Sequence, residues 1–261
     1  MASPGASTDR TTPPPTDSAR GRDRRCGIIP ESGRENWGRQ NLPLDYPFAR
    51  SFIEWDSSGT EESTEALKAP DSVKGSHSLD RAEAIALVRS KAEKETTVRH
   101  LITVEGVMRR LAVHFGEEPD TWGLVGLFHD IDQDQTHGDL ERHARVGAAW
   151  LREAGVGETI VNAVLAHAHE QYRTDLVSRA IVPADAVTGF LVACALVRPE
   201  KASGMKVSSC RKKLKERSFA PGVNRDEIRE CEASIGLGVD ELFALGIEGL
   251  ESVAEEVGLT T

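Results

Sequence analysis

"LVGLFHDIDQDQ", residues 124–135, runs apolar for five residues and then sets His129 and Asp130 side by side, ahead of Asp132 and Asp134. A helix shaped for a core has two reasons to end in an adjacent imidazole and carboxylate. The pair is a polar stop at the helix end, or it is half of a metal site whose other ligands lie elsewhere in the chain. Neighbouring side chains diverge by about 100° around a helix axis, so one helix end can feed two ions.

The distribution of histidines favours the second reading. Seven of the eight lie between residues 100 and 169, and His100, His129, His143, His167 and His169 recur at ends or faces of expected helices. Imidazole nitrogens and carboxylate oxygens together suit borderline divalent cations such as Mn, Fe, Co, Ni or Zn. A helical bundle can aim such ligands from different helices at one point. Taken singly, each residue has a plainer explanation: His100 as a hydrogen-bonded boundary histidine, His143 as a solvated residue at a helix start. His114 and His137 read as surface residues, and His77 belongs to the N-terminal segment.

Composition narrows the setting. The 261 residues carry a formal charge of −10, which argues against broad affinity for nucleic acid or an anionic membrane surface. Cys26, Cys194, Cys210 and Cys231 form no CxxC pair, so they are expected to be reduced thiols and not a disulfide framework. The longest apolar stretch, around "FLVACALV", is too short to span a membrane, and no signal-peptide pattern is present, so a soluble, cytoplasmic protein is expected.

Residues 1–77 are rich in Pro, Ser, Thr, Gly and Arg and lack apolar periodicity, which predicts a disordered tail with short apolar islands such as "LPLDYPFARSFIEW". From Ser78 onward the pattern is helix after helix. Asp80 and Glu83 form a capping-box start, followed by Ala82, Ile85, Ala86 and Val88 on one face. A long helix over about 95–115 stops at Gly116. A third opens after "EEPD" with Asp120 as its cap and buries Leu124, Leu127 and Phe128. Asp139 is expected to cap a fourth over about 140–154, "GETIVNAVLAHAHE" forms a fifth, and a sixth runs from about Pro183 through Asp185 to Val197. Shorter helices near 206–216, 224–235 and 239–257 complete an all-α domain with no strand ladder.

The ordered set His100, then His129 with Asp130, then Asp185 resembles the HD superfamily of metal-dependent phosphohydrolases. "GLFHDID" is similar to that family's "LLHDIG" run, and "ADAVTGFL" to its last ligand helix. His143 in "ERHARVGAAWL" and His167 in "VLAHAHE" match the two additional histidines of members with a two-metal centre. The resemblance spans about residues 80–200, and "LVRPEK" and "SFAPGVNR" also look like small stand-alone bacterial members. It implies an HD-type helical bundle over 78–200, with residues 201–261 as a C-terminal helical extension packed on it.

It further implies one or two divalent ions (Mn, Co, Ni, Fe, Mg or Zn) that promote hydrolysis of a phosphoester on a small, nucleotide-like substrate. The resemblance assigns His100, His129, Asp130 and Asp185 to the first metal and makes Asp130 a bridge to a second, held by His143 and His167. Two features depart from the pattern. Asp132 stands where the glycine of HDIG would be, and His169 is a spare beside His167, which motif position favours. Asp130, Asp132, Asp134 and Glu170 are the carboxylates available to orient a water or protonate a leaving oxygen. A di-iron oxygenase with the same ligand set, or a regulatory module with a vestigial site, are the competing functions.

Two other patterns remain. Asp130, Asp132, Asp134 and Glu141 fall at positions 1, 3, 5 and 12 of a calcium loop, but Gln135 occupies the position where the sharp turn demands glycine. The tract "CRKKLKER" is the one dense basic patch, a solvated helix face or a clamp for substrate phosphate. As a clamp it enlists Arg211, Lys212 and Lys215 on one face, ahead of Lys213, with Arg198, Lys201 and Arg225 as further candidates.

Overall fold

The computed structural model describes residues 79–261, so the expected tail over residues 1–77, with Cys26 and His77, lies outside the described residues. Within them every element is helical: α1 (Arg81–Lys91), α2 (Glu95–Phe115), α3 (Pro119–Phe128), α4 (Gln133–Thr136), α5 (Arg145–Glu153), α6 (Glu158–Ala168), a 3-10 turn (Glu170–Tyr172), α7 (Leu176–Leu196), α8 (Val207–Leu214), α9 (Arg225–Arg229), α10 (Cys231–Ile235) and α11 (Val239–Val253).

Local chemistry explains most of the boundaries. The Asp80 and Glu83 box is formed in both directions, at 2.8 and 2.9 Å, and α2 ends at Gly116 in the left-handed region with φ 73°. Three expectations shift. The cap of α3 is Glu118 and not Asp120, because Pro119 takes the first helical position, where its missing N–H costs nothing. Helix α5 begins at Arg145, not near 140, because Asp139 caps only a run of turns and the chain then passes through Ala144 at φ 61°. Helix α7 begins seven residues before Pro183, at Leu176, behind a capping box of Asp175 and Ser178. The buried Val177, Ala180 and Ile181 offset the roughly 3 kcal/mol that an interior proline costs. On α1 the buried face is Ala84 and Val88, while Ala82 and Ala86 are exposed.

Helix α2 is the axis. It packs on α3, α7 and α11, while α6 and α7 pair beside it. One apolar cluster runs from Ala84 to Leu259, so residues 201–261 share a core with residues 79–200. Helix α7 is long and apolar enough to cross a membrane, but 67% of its apolar window is buried in the protein, as in a core helix.

Two backbone contacts set where α2 lies. A Cβ on Gly126 of α3 would fall 2.8 Å from the Cα and N of Glu105, and a Cβ on Gly106 would fall 2.5 Å from the carbonyl oxygen of Gly249 on α11. Beside this crossing the fully buried Glu105 accepts from Arg81 at 2.7 Å and Arg109 at 2.8 Å, which holds α1 and α2 together.

Gly249→Ala, which places a methyl against the Gly106 backbone, is expected to destabilise the protein by about 1–3 kcal/mol, a fall of several degrees in Tm. Gly157→Ala, where a Cβ meets nothing within 4 Å, is the control and leaves the thermal melt near wild type.

Candidate metal centre

Five segments deliver the polar cluster: α2 carries His100, the turns after α3 carry His129 and Asp130, the turns before α5 carry His143, α6 carries His167 and α7 carries Asp185. The His100 Nε2 lies 3.3 Å from His129 Nε2 and 3.1 Å from Asp185 Oδ1, and His129 Nε2 is 3.6 Å from that same oxygen. On the other side Asp130 Oδ1 lies 3.1 Å from His143 Nε2 and 3.2 Å from His167 Nε2. Asp130 Oδ2 is 3.8 Å from His129 Nε2 and 4.0 Å from His100 Nε2, so this carboxylate stands between the two sets.

The donor set fits a cation. Asp130 Oδ1 is buried and has no aligned hydrogen bond although two imidazole nitrogens lie near it, the arrangement of groups aimed at a common point and not at each other. His129 Nδ1 donates to the Gly126 carbonyl at 2.8 Å, and His143 Nδ1 donates to Asp132 Oδ1 at 2.9 Å, which leaves the Nε2 lone pair of each ring directed inward. Two groups offer ligand atoms within 4.8 Å of one another: His100, His129 and Asp185, and His129, Asp130 and His167. His167 is held differently. Its Nδ1 is buried without a partner, and its ring is packed edge-on against His129 and His143 at 4.9 and 5.5 Å between centroids.

Electrostatics bind the metal-free cluster together. Burial alone would lower His129, but the Asp130 charge and the nearby Asp185 carboxylate raise it from 6.5 to about 9. Burial is likewise outweighed at His143, where Asp130 and Asp132 raise it to about 10. The carboxyls of Asp130 and Asp185 are half-buried at the cavity end, where burial would raise them, yet the histidines around them hold both well below the usual carboxylate range.

The carboxylates expected to handle protons are placed elsewhere. Asp132 is fully buried and spends its oxygens on His143 Nδ1, on Ala144 N at 3.2 Å and on Gly147 N at 2.7 Å. It therefore delays the start of α5 and aims His143. Asp134 accepts from Glu93 N, Lys94 N and Thr97 Oγ1, tying α4 to the start of α2. Glu170 is exposed on the 3-10 turn. His169 donates from Nε2 to the His143 carbonyl at 3.1 Å, so of the α6 pair only His167 faces the cluster.

The centre opens into a cavity of about 690 Å³ lined by His100, Asp130 and Asp185 at one end. The proposed phosphate clamp does not reach it. Helix α8 turns Cys210 and Leu214 inward, leaving Lys212 and Lys215 exposed and Arg211 paired with Asp240 at 2.7 Å. Arg198 donates to the Ser203 carbonyl. None of these four lines the cavity, nor does Lys201. Arg225 instead bonds the carbonyls of Leu214, Glu216, Phe219, Ala220 and Val223, pinning the loop that forms one cavity wall.

Two lining residues escaped the sequence reading. Arg99 precedes His100, and Glu227, on α9, has its carboxyl raised by burial and by the Asp185 charge. No local pattern marks Glu227, because its neighbourhood with Asp185 exists only once α9 packs on α7.

Residues 97–189 match the HD domain family. That family consists generally of metal-dependent hydrolases. No solved structure matches the chain.

Asp132→Asn is expected to weaken metal binding by about 10–100-fold, because one of the two oxygens that accept from His143, Ala144 and Gly147 becomes an NH2 donor and the charge that orients His143 is gone. Asp134→Asn is expected to lower Tm with little change in metal content; equal metal loss in both would show that Asp132 has no special hold on the centre.

The raised histidines also fix the sign of a pH effect. Their ion pairs stabilise the metal-free fold fully below pH 6.5 and lose that contribution as pH rises through about 9 and 10. A cation competes with the same protons, so metal affinity is expected to rise over that interval. Thermal melts with and without chelator across pH 6–10 test both slopes.

Proposed function

We propose that this protein is a metal-dependent phosphohydrolase acting on a phosphoester of a small molecule. The observation that carries the reading is the convergence of four histidines and two aspartates beside an open cavity that His100, Asp130 and Asp185 line, within the stretch that matches the HD domain family. His100, His129, Asp130 and Asp185 would hold one divalent cation, and Asp130 with His143 and His167 a second. Such ions would neutralise phosphoryl charge and bring the pKa of an attacking water toward neutrality.

The chain's own residues supply the rest. Asp132 and the Gly126 carbonyl hold His143 and His129 in the tautomers that leave Nε2 free. Glu227, whose carboxyl pKa is raised by burial and by the Asp185 charge, is the group in the cavity suited to give a proton to the leaving oxygen. Arg99, beside His100 and 3.8 Å from Glu95, is among the described residues the lysine or arginine that lines the cavity and could meet a phosphoryl oxygen. The net charge of −10 supports a small-molecule partner over a nucleic acid.

Chelation is expected to abolish phosphate release, with activity restored by one of Mn, Co, Ni, Fe, Mg or Zn. Glu227→Gln should then lower kcat by about 100-fold or more at unchanged metal content, with rescue as leaving-group acidity increases. Oxygen uptake by the iron-loaded protein without phosphate release from any ester would replace hydrolysis with oxidative cleavage.

A further inference from the structure

The walls of the cavity say what kind of body the substrate has. Away from the metal end they are apolar: Val192 and Leu196 from α7, Phe219 and Val223 from the loop before α9, and Val257 and Leu259 from the C-terminus. The wall is preformed. Arg225 ties the 216–223 backbone through its carbonyls, and Phe219 packs edge-on against the buried Phe190 at 5.6 Å.

The lining also holds polar side chains, three of which are engaged within the protein. Thr97 Oγ1 bonds Asp134, Thr103 Oγ1 bonds the His100 carbonyl, and Asn224 Oδ1 caps α9. Among the described lining residues Arg99 is the only lysine or arginine, and it lies 3.8 Å from Glu95. A nucleoside triphosphate carries roughly four negative charges, more than this single side-chain cation offsets beyond the metal end. A volume of about 690 Å³ suits a ligand of drug-like size, larger than a bare sugar phosphate requires.

We propose that the cavity takes an amphipathic monoanionic or dianionic ligand, a single phosphate head on a compact alkyl or aryl body, and disfavours nucleoside polyphosphates. The head-group part rests on the phosphohydrolase reading; the apolar body rests on the walls alone. Burial of each added methylene in such a wall tightens binding about fourfold.

The test is calorimetric titration of the full-length, manganese-loaded protein with methyl-, propyl- and hexylphosphonate and with a non-hydrolysable ATP analogue. Affinity is expected to rise about 100-fold or more from methyl to hexyl, with the ATP analogue no tighter than methylphosphonate. Leu196→Gln should remove most of that rise while metal content stays at the wild-type level, and Val192→Thr, which keeps the side-chain shape, should remove part of it if the first variant folds poorly. A flat series, a tighter ATP analogue, or no phosphonate binding at all would overturn the proposal. Phosphate release from hexyl phosphate and nucleotides, measured separately, keeps the two readings apart. A steep phosphonate series without any hydrolysis removes the hydrolase and leaves the pocket, whereas equal hydrolysis of nucleotides removes the pocket proposal and leaves the hydrolase.

Discussion

The close backbone approach of α2 and α3 at Gly126 is the constraint on which the centre depends. Only a residue without a Cβ lets α3 lie against the Glu105 backbone, and that distance determines how far His100 stands from His129. The same residue's carbonyl accepts the His129 Nδ1 proton. One position therefore sets both the spacing of two imidazoles and the tautomer of one of them. The buried Glu105 with its two arginines and the Gly106–Gly249 contact hold α2 from its other sides. A cluster of like groups at 3–4 Å persists only when its carriers cannot relax apart.

Asp132 extends the same logic to the second half of the cluster. A fully buried carboxylate is costly unless its oxygens are satisfied, and here His143 and two backbone amides satisfy them. The left-handed Ala144 is the strain that accompanies this arrangement, of order 1 kcal/mol for a non-glycine residue. In exchange His143 is oriented and α5 starts where its first turn can bond the carboxylate.

The cavity joins two segments far apart in sequence. Its metal end comes from α2, α7 and the turns after α3; its opposite walls come from the end of α7, the 218–224 loop and the C-terminal residues. Residues 201–261 thus shape the space in front of the centre without providing any of the six clustered His and Asp side chains.

The sequence by itself determined the helical class, the order and rough extent of most helices, and the six residues His100, His129, Asp130, His143, His167 and Asp185 that the fold brings together. These were legible because apolar periodicity and ligand order are properties of the chain. Only the tertiary structure decided what the remaining polar residues do. Asp132 and Asp134 look alike in "HDIDQDQ", yet one aims a histidine and the other fastens α4 to α2, because their roles depend on which amides arrive from elsewhere. The basic tract read equally as a solvated face or a clamp until α8 packed its Cys210 and Leu214 inward and left it outside the cavity, and Glu227 had no signal at all before α9 met α7. The start of α7 was hidden because Pro183 resembles a first-turn proline, and only the burial of Val177, Ala180 and Ile181 against the core shows why the helix continues through it. Local pattern records what a segment prefers; which side chains share a cavity is settled by contacts between segments that the pattern does not encode.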